Sequence, residues 1–177
     1  MSTEIQYRPF PQKPELLVAL REKGKPNKFV LRNTNEAVVA QLEWSGILQR
    51  RSATGSWAGG KINFKHPHWW SAKLNYQVAG DTELGSLPFE WRRLTYAVDW
   101  GHERFRLKTK GWFLRHFQLF DAQDELLADF RIREKFISFK IEISLEKRLY
   151  KHKNPEALLL TGLYLLFTRL QHAKSAG

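Results

Sequence analysis

The chain contains no cysteine. That excludes a disulfide framework, a thiolate metal site and a cysteine nucleophile, and it fits a reducing compartment. No apolar run reaches the roughly 20 residues that a helix needs to cross the hydrocarbon core. The start, "MSTEIQYRPFPQKPELLVAL", has no apolar stretch behind a basic leader and does not read as a secretory signal. There is no His-x-x-x-His pair. Ser56 sits in "TGSWAGG", which is neither a G-x-S-x-G elbow nor a phosphate-binding loop. Acidic residues are also scarce, with 18 Asp and Glu against 29 Lys and Arg and a formal net charge of +11. Such an excess points to anionic partners. These absences together lead us to expect a non-enzymatic cytoplasmic protein, without cofactor or metal and without a transmembrane segment.

What is present is a β pattern. Among 177 residues, 42% are hydrophobic and 14% aromatic, enough for one domain with a substantial core. From Phe29 to Leu145 the apolar period is two. In "ERFRLKTK" Phe105 and Leu107 point one way, and Arg104, Arg106, Lys108 and Lys110 the other. "FISFKIEISL" alternates likewise, with Ile137, Phe139, Ile141, Ile143 and Leu145 opposite Ser138, Lys140, Glu142 and Ser144. Three segments share a pattern: "FVLRNTNEAVVAQL" from Phe29, "YQVAGDTELGSLPF" from Tyr76 and "FQLFDAQDELLADF" from Phe117. Each reads as a β-hairpin, resuming after its turn with an aliphatic and then a small residue: Ala40, Gly85 and Ala128. Residues 1–28 read as an N-terminal arm and basic loop: an irregular stretch with Pro9, Pro11 and Pro14, a short apolar element from Leu16 to Leu20, and the loop "REKGKPNK". Residues 29–177 read as a single domain.

The C-terminal stretch "NPEALLLTGLYLLF" begins with a helix start, Asn154 as cap and Pro155 as first helical residue. The helix, about 155–170, is apolar all round. Such a helix lies in lipid or inside protein, and its eleven-residue run from Ala157 to Phe167 is too short to span a bilayer. Enclosure within the strands follows, with Gly162 where a bulky side chain from the wall comes close. The expected fold is mainly β: a closed antiparallel β-barrel of about 10–12 strands around a hydrophobic C-terminal helix, since closure removes exposed edges.

This combination, with "FQLFDAQDELLADFRI", "YQVAGDTELGSL" and the helix coming last, resembles the tubby C-terminal-like superfamily of tubby domains, LURP-one-related proteins and phospholipid scramblases. The resemblance covers roughly Phe29 to Leu170. It implies a barrel threaded by the last helix and a partner such as an anionic membrane surface or a phosphoinositide. The chain carries neither tubby's phosphoinositide signature nor the acidic calcium loop of scramblases, so no functional residue is carried over from the family.

The candidate site is a row of cations. Alternation lines up Arg104, Arg106, Lys108 and Lys110, about 6.6 Å between successive side chains, and Arg115, Arg131 and Arg133 are candidates to join them. Such a row could track phosphates on an anionic membrane or a nucleic acid, although any half-exposed strand shows period-two charge. The leading expectation is a binding protein held peripherally at a membrane through phospholipid headgroups. The alternatives are a nucleic-acid-binding barrel and a scramblase-like lipid-acting protein. "HPHWW" (His66 to Trp70) and "WRR" (Trp91 to Arg93) suggest a metal, stacking or cation–π contact but more often serve packing. Asp81, Asp99, Asp121 and Asp124 are expected in turns.

Overall fold

The computed structural model describes residues 6–45, 52–65, 75–78, 85–86, 89–90, 95–100, 103–111, 113–135 and 138–175. His66 to Trp70, Trp91 to Arg93 and Asp81 lie outside them.

Thirteen strands occur among the described residues: β1 (Leu16–Arg21), β2 (Lys28–Arg32), β3 (Val38–Trp44), β4 (Ser52–Trp57), β5 (Gly60–Lys65), β6 (Asn75–Val78), β7 (Gly85–Ser86), β8 (Phe89–Glu90), β9 (Thr95–Trp100), β10 (Glu103–Thr109), β11 (His116–Phe120), β12 (Leu126–Lys135) and β13 (Ser138–Leu145). A short 3-10 helix, Lys147–Lys151, precedes the helix α1 (Pro155–Ser175). The strands form one antiparallel sheet in the order β10-β11-β12-β13-β1-β2-β3-β4-β5-β6-β7-β9-β8, and β9 also pairs with β10, from Glu103↔Trp100 to Lys108↔Thr95. The fold is thus mainly β, a single large antiparallel sheet with a C-terminal helix.

Two strand assignments differ from the sequence reading. Leu16–Arg21 is not part of an arm: β1 is hydrogen-bonded between β13 and β2. The three prolines end before it, and Leu17 and Ala19 face the core fully buried. Asp99 lies within β9 rather than in a turn, because the strand runs on through Trp100. Asp121 and Asp124 do occupy the β11–β12 turn.

The repeated segments are hairpins with shared detail. One constant shift along the chain carries β1–β4 onto β10–β13, pair for pair: Leu31↔Ala40 becomes Leu119↔Ala128, and Leu42↔Gly55 becomes Phe130↔Ile143. The same register irregularity follows Leu31 and Leu119. In one turn Asn33 Oδ1 accepts from the amides of Asn35 and Ala37. In the other Asp121 Oδ1 accepts from those of Gln123 and Glu125. Glu36 and Asp124, at matching places, both have positive φ, a conformation that the short Asp side chain tolerates better than most. The segment from Tyr76 also forms a hairpin, β6–β7, but at a shorter spacing, with Tyr76↔Gly85 where the others have Phe29↔Leu42 and Phe117↔Phe130, so the shared register holds for two of the three segments.

α1 runs five residues beyond the expected end, and every residue from Ala157 to Phe167 is buried. Side chains of many strands reach it. Phe64 of β5 stacks on Tyr164 at 4.4 Å, Phe29 of β2 lies 4.1 Å from Phe167, and Trp44 of β3 and Phe139 of β13 touch the same ring. Phe130 of β12 approaches so closely that a Cβ on Gly162 would lie 3.1 Å from its ring, with Leu119 of β11 at 3.7 Å. The close approach expected at Gly162 is therefore present. Burial pushes the Tyr164 phenol up to about 12, so it stays neutral. No helix among the described residues is long and apolar enough to cross a membrane.

Candidate functional site

The cations of β10 point outward, as alternation requires, while Phe105 and Leu107 are buried. β11 separates β10 from β12, so Arg131 and Arg133 join the same face one strand further on. Lys140 of β13 extends it. Lys110 and Arg115 are exposed at the ends of the β10–β11 turn.

This face carries carboxylates that the sequence reading did not place there. Asp124 Oδ1 accepts from Lys108 Nζ at 2.7 Å and lies 3.1 Å from Arg106 Nη2. The Lys108 hydrogen bond holds the Asp124 carboxyl below its ordinary range. Lys108 also sits 4.7 Å over the Phe120 ring, a cation–π contact. Arg104 Nε lies 3.4 Å from Asp99. Arg133 Nε donates to Glu142 at 2.9 Å, and Lys140 Nζ lies 3.0 Å from the other oxygen. Hydrogen bonds from Arg133 and then Lys140 hold the Glu142 carboxyl low.

The most enclosed of these acids is Asp129. Its Oδ1 accepts from His116 Nε2 and from Gln118 Nε2 at 2.9 Å, and its Oδ2 accepts from Arg131 Nε at 2.8 Å. Burial alone would raise this carboxyl. Hydrogen bonds from His116, Arg131 and Gln118 outweigh that effect and hold it below the usual carboxylate range. The register explains the cluster: His116 pairs with Arg131 and Gln118 with Asp129, so three donors converge on one acid. A His–Asp pair invites a catalytic reading. Yet Ser144, the hydroxyl directly opposite Asp129, lies on β13, beyond the acid rather than beside the imidazole. Asp129 stands between them, which is not the order of a nucleophile–base–acid relay. The cluster instead fixes the orientation of Arg131.

So β10 and β12 do bring Arg104, Arg106, Lys108, Arg131 and Arg133 onto one face, but as members of ion-pair networks. Alternation in "ELLADFRIRE" could have placed Asp129 beside Arg131 and Arg133. Which acid meets which cation depends on hairpin register, and that was visible only in the repeat.

A comparison with solved structures finds the same architecture in a crystal structure of a protein from Arabidopsis thaliana, AT5G01750. The TM-score is 0.54 at 13% identity, over 92% of this chain and 99% of that one. The two chains share a fold. At this identity the likeness extends no further than architecture. No family model and no curated protein matches the sequence.

Proposed function

We propose that the sheet closes into a barrel around α1 and that the protein is a non-enzymatic binding module, its outer face on β10–β13 taking anionic phospholipid headgroups. Closure is supported by the β9–β10 pairing, which joins the first strand of the order to the one next to last, and by the reach of side chains from β2, β3, β5, β11, β12 and β13 to the helix. A peripheral place at a cytoplasmic membrane surface goes with this reading, because that leaflet carries the anionic lipid.

The observation that carries the function is an excess of cations on one face. Among the described residues, the ion pairs of Arg104, Arg106, Lys108, Arg131, Arg133 and Lys140 run to four acids, Asp99, Asp124, Asp129 and Glu142. Lys110 and Arg115 add to the positive side at the adjoining turn. The acids orient the cations without neutralising them. Arg104, Arg131 and Arg133 remain more than half exposed. A guanidinium has five donors, and the ion pairs of Arg131 and Arg133 engage Nε, so the outer edge of these two can still meet a phosphate. Each Lys or Arg near an anionic surface contributes about 1 kcal/mol.

Sedimentation with phosphatidylcholine vesicles, with and without phosphatidylserine, tests this at two salt concentrations. Binding is expected only with phosphatidylserine and should weaken as salt rises. Arg104→Glu with Lys108→Glu reverses two charges on exposed side chains, so the fold should survive and binding should fall at least tenfold. Unchanged binding by that variant would overturn the assignment of the face. Capture of duplex DNA or RNA without vesicle binding would move the assignment to nucleic acid.

A further inference from the structure

The turn between β10 and β11, "KGWFLR" (Lys110 to Arg115), carries the most exposed large apolar side chain among the described residues. Phe113 is 82% exposed, and the next, Leu16, is at 43%. A single exposed apolar residue is ordinary on a soluble protein. Three further observations set this one apart.

First, the turn is built to hold Phe113 outward. The Lys110 amide donates to the His116 carbonyl at 2.8 Å, and the Ile132 amide donates to the Arg115 carbonyl at 2.8 Å, so both bases of the turn are fixed. Gly111 and Leu114 both have positive φ. Leu114 packs against the core while its neighbour Phe113 projects. Second, the apolar tip stands between two cations, Lys110 and Arg115, on the hairpin whose first strand supplies Arg104, Arg106 and Lys108. An apolar tip ringed by Lys and Arg matches the boundary of an anionic bilayer, where acyl chains lie just beneath phosphate. Third, the repeat supplies an internal comparison. The matching β1–β2 turn is "EKGKPN" (Glu22 to Asn27), in which Glu22 pairs with Lys25 at 3.0 Å and with Lys28, the first residue of β2, at 2.9 Å. A water-facing turn at the same place in the fold has charged chemistry; the β10–β11 turn has an aromatic.

We infer that the β10–β11 turn is a membrane-insertion tip: Phe113 enters the headgroup–acyl boundary of an anionic bilayer while Lys110 and Arg115 hold phosphates at its rim. This rests on the headgroup-binding reading and adds to it an apolar component that salt does not screen.

The absence of cysteine allows a clean test in the full chain. Phe113→Cys and, as a control in the matching turn, Lys25→Cys each give one labelling site for an environment-sensitive fluorophore. With phosphatidylcholine–phosphatidylserine vesicles the label at 113 should shift to the blue and be quenched by lipids brominated near the headgroup end of the acyl chain. The label at 25 should do neither. Independently, Phe113→Ser should weaken partitioning about tenfold, and Phe113→Trp should retain it. A label at 113 that stays in water on vesicles that do bind the protein, or full binding by Phe113→Ser, overturns insertion and leaves the headgroup reading standing. No binding of the unmodified chain to these vesicles overturns both.

Discussion

Removing α1 tests the architecture most directly. A chain ending at Lys153 loses Leu158, Leu159, Leu160, Leu163, Tyr164, Leu165, Leu166 and Phe167, each at most 6% exposed. Full burial of one such side chain is worth about 1.5–3 kcal/mol, so the eight together stand for roughly 12–24 kcal/mol. That range is an upper bound, because real unfolded chains already bury some apolar surface. The remaining sheet also keeps the void, with Phe64, Phe29, Phe130 and Trp44 stripped of their partners, and cavities add their own cost. A domain's whole net stability is about 5–15 kcal/mol. The truncated chain should therefore aggregate, or persist as an expanded state with strand-type far-ultraviolet dichroism, dye binding and no near-ultraviolet signal. The near-ultraviolet assay suits this protein because Trp44 and Trp57 lie in the core. If α1 were a peripheral anchor, the truncated chain would be more soluble and keep the full-length spectrum. That result would refute the enclosed helix.

Other expectations concern packing, charge and turns. A Cβ at Gly55 would fall 2.8 Å from Ile62 and 2.9 Å from Leu160, against 3.1 Å from Phe130 at Gly162. Gly55→Ala should thus cost about 1–3 kcal/mol in thermal melts, whereas Gly162→Ala recovers close to 1 kcal/mol of helix propensity and should come out near neutral. Equal losses would contradict these contacts. Asp129 has a lowered folded-state pKa, so its stabilisation is full above the unfolded value near 4 and is lost as pH falls through the lower folded value. Asp129→Asn should then cost about 2 kcal/mol at pH 7 by urea unfolding, a gap that closes toward pH 3; a pH-independent gap would disprove the charge-based role. Asn33→Ala and Asp121→Ala each remove an acceptor of two turn amides, worth about 1–2 kcal/mol. Asp121→Ala should cost more, since Asp121 also pairs with Arg148 at 2.8 Å; the reverse order would refute the shared-turn argument.

The C-terminal helix was legible because its length, its cap and its lack of a polar face left one consistent solution. Its end was not, because "QHAKS" contains neither Gly nor Pro to stop a helix. Strand β1 was hidden by its own composition. "LLVALR" is too apolar to show alternation, and three prolines just ahead of it read as irregular chain. The outward direction of the β10 cations followed from period two alone. Their partners did not, because an ion pair such as Arg106 with Asp124 joins a strand to a turn beyond the next strand. Only the pairing register brings those residues together. The repeat was visible as a faint likeness of three segments. It became a structural statement once the same register, the same irregularity and the same side-chain-capped turn recurred in β2–β3 and β11–β12.

That repeat bears on what the basic face means. Charge on alternate residues of a half-exposed strand is unremarkable by itself, since solvated strand faces commonly look so. Here the fold contains its own comparison. At the positions where β10 carries Arg104, Arg106 and Lys108, β1 carries Leu16, Val18 and Leu20. Where β11 and β12 place His116, Gln118, Asp129 and Arg131, β2 and β3 place Lys28, Val30, Gln41 and Glu43. The inward positions stay apolar in both units: Leu17 and Phe105, Phe29 and Phe117, Leu31 and Leu119, Leu42 and Phe130. A strand in this sheet therefore does not need an outward row of cations in order to fold. Core positions answer to packing against α1 in both units, whereas the outward positions are set separately in each. The cations and the aromatic turn beside them are particular to one unit, and so are Asp99, Asp129 and Glu142, where the other has Pro11, Gln41 and Thr54; only Asp124 has an acidic counterpart, Glu36. The proposed partner site accounts for a difference confined to one unit, and this is why the β10–β13 face, rather than net charge in general, carries the functional proposal.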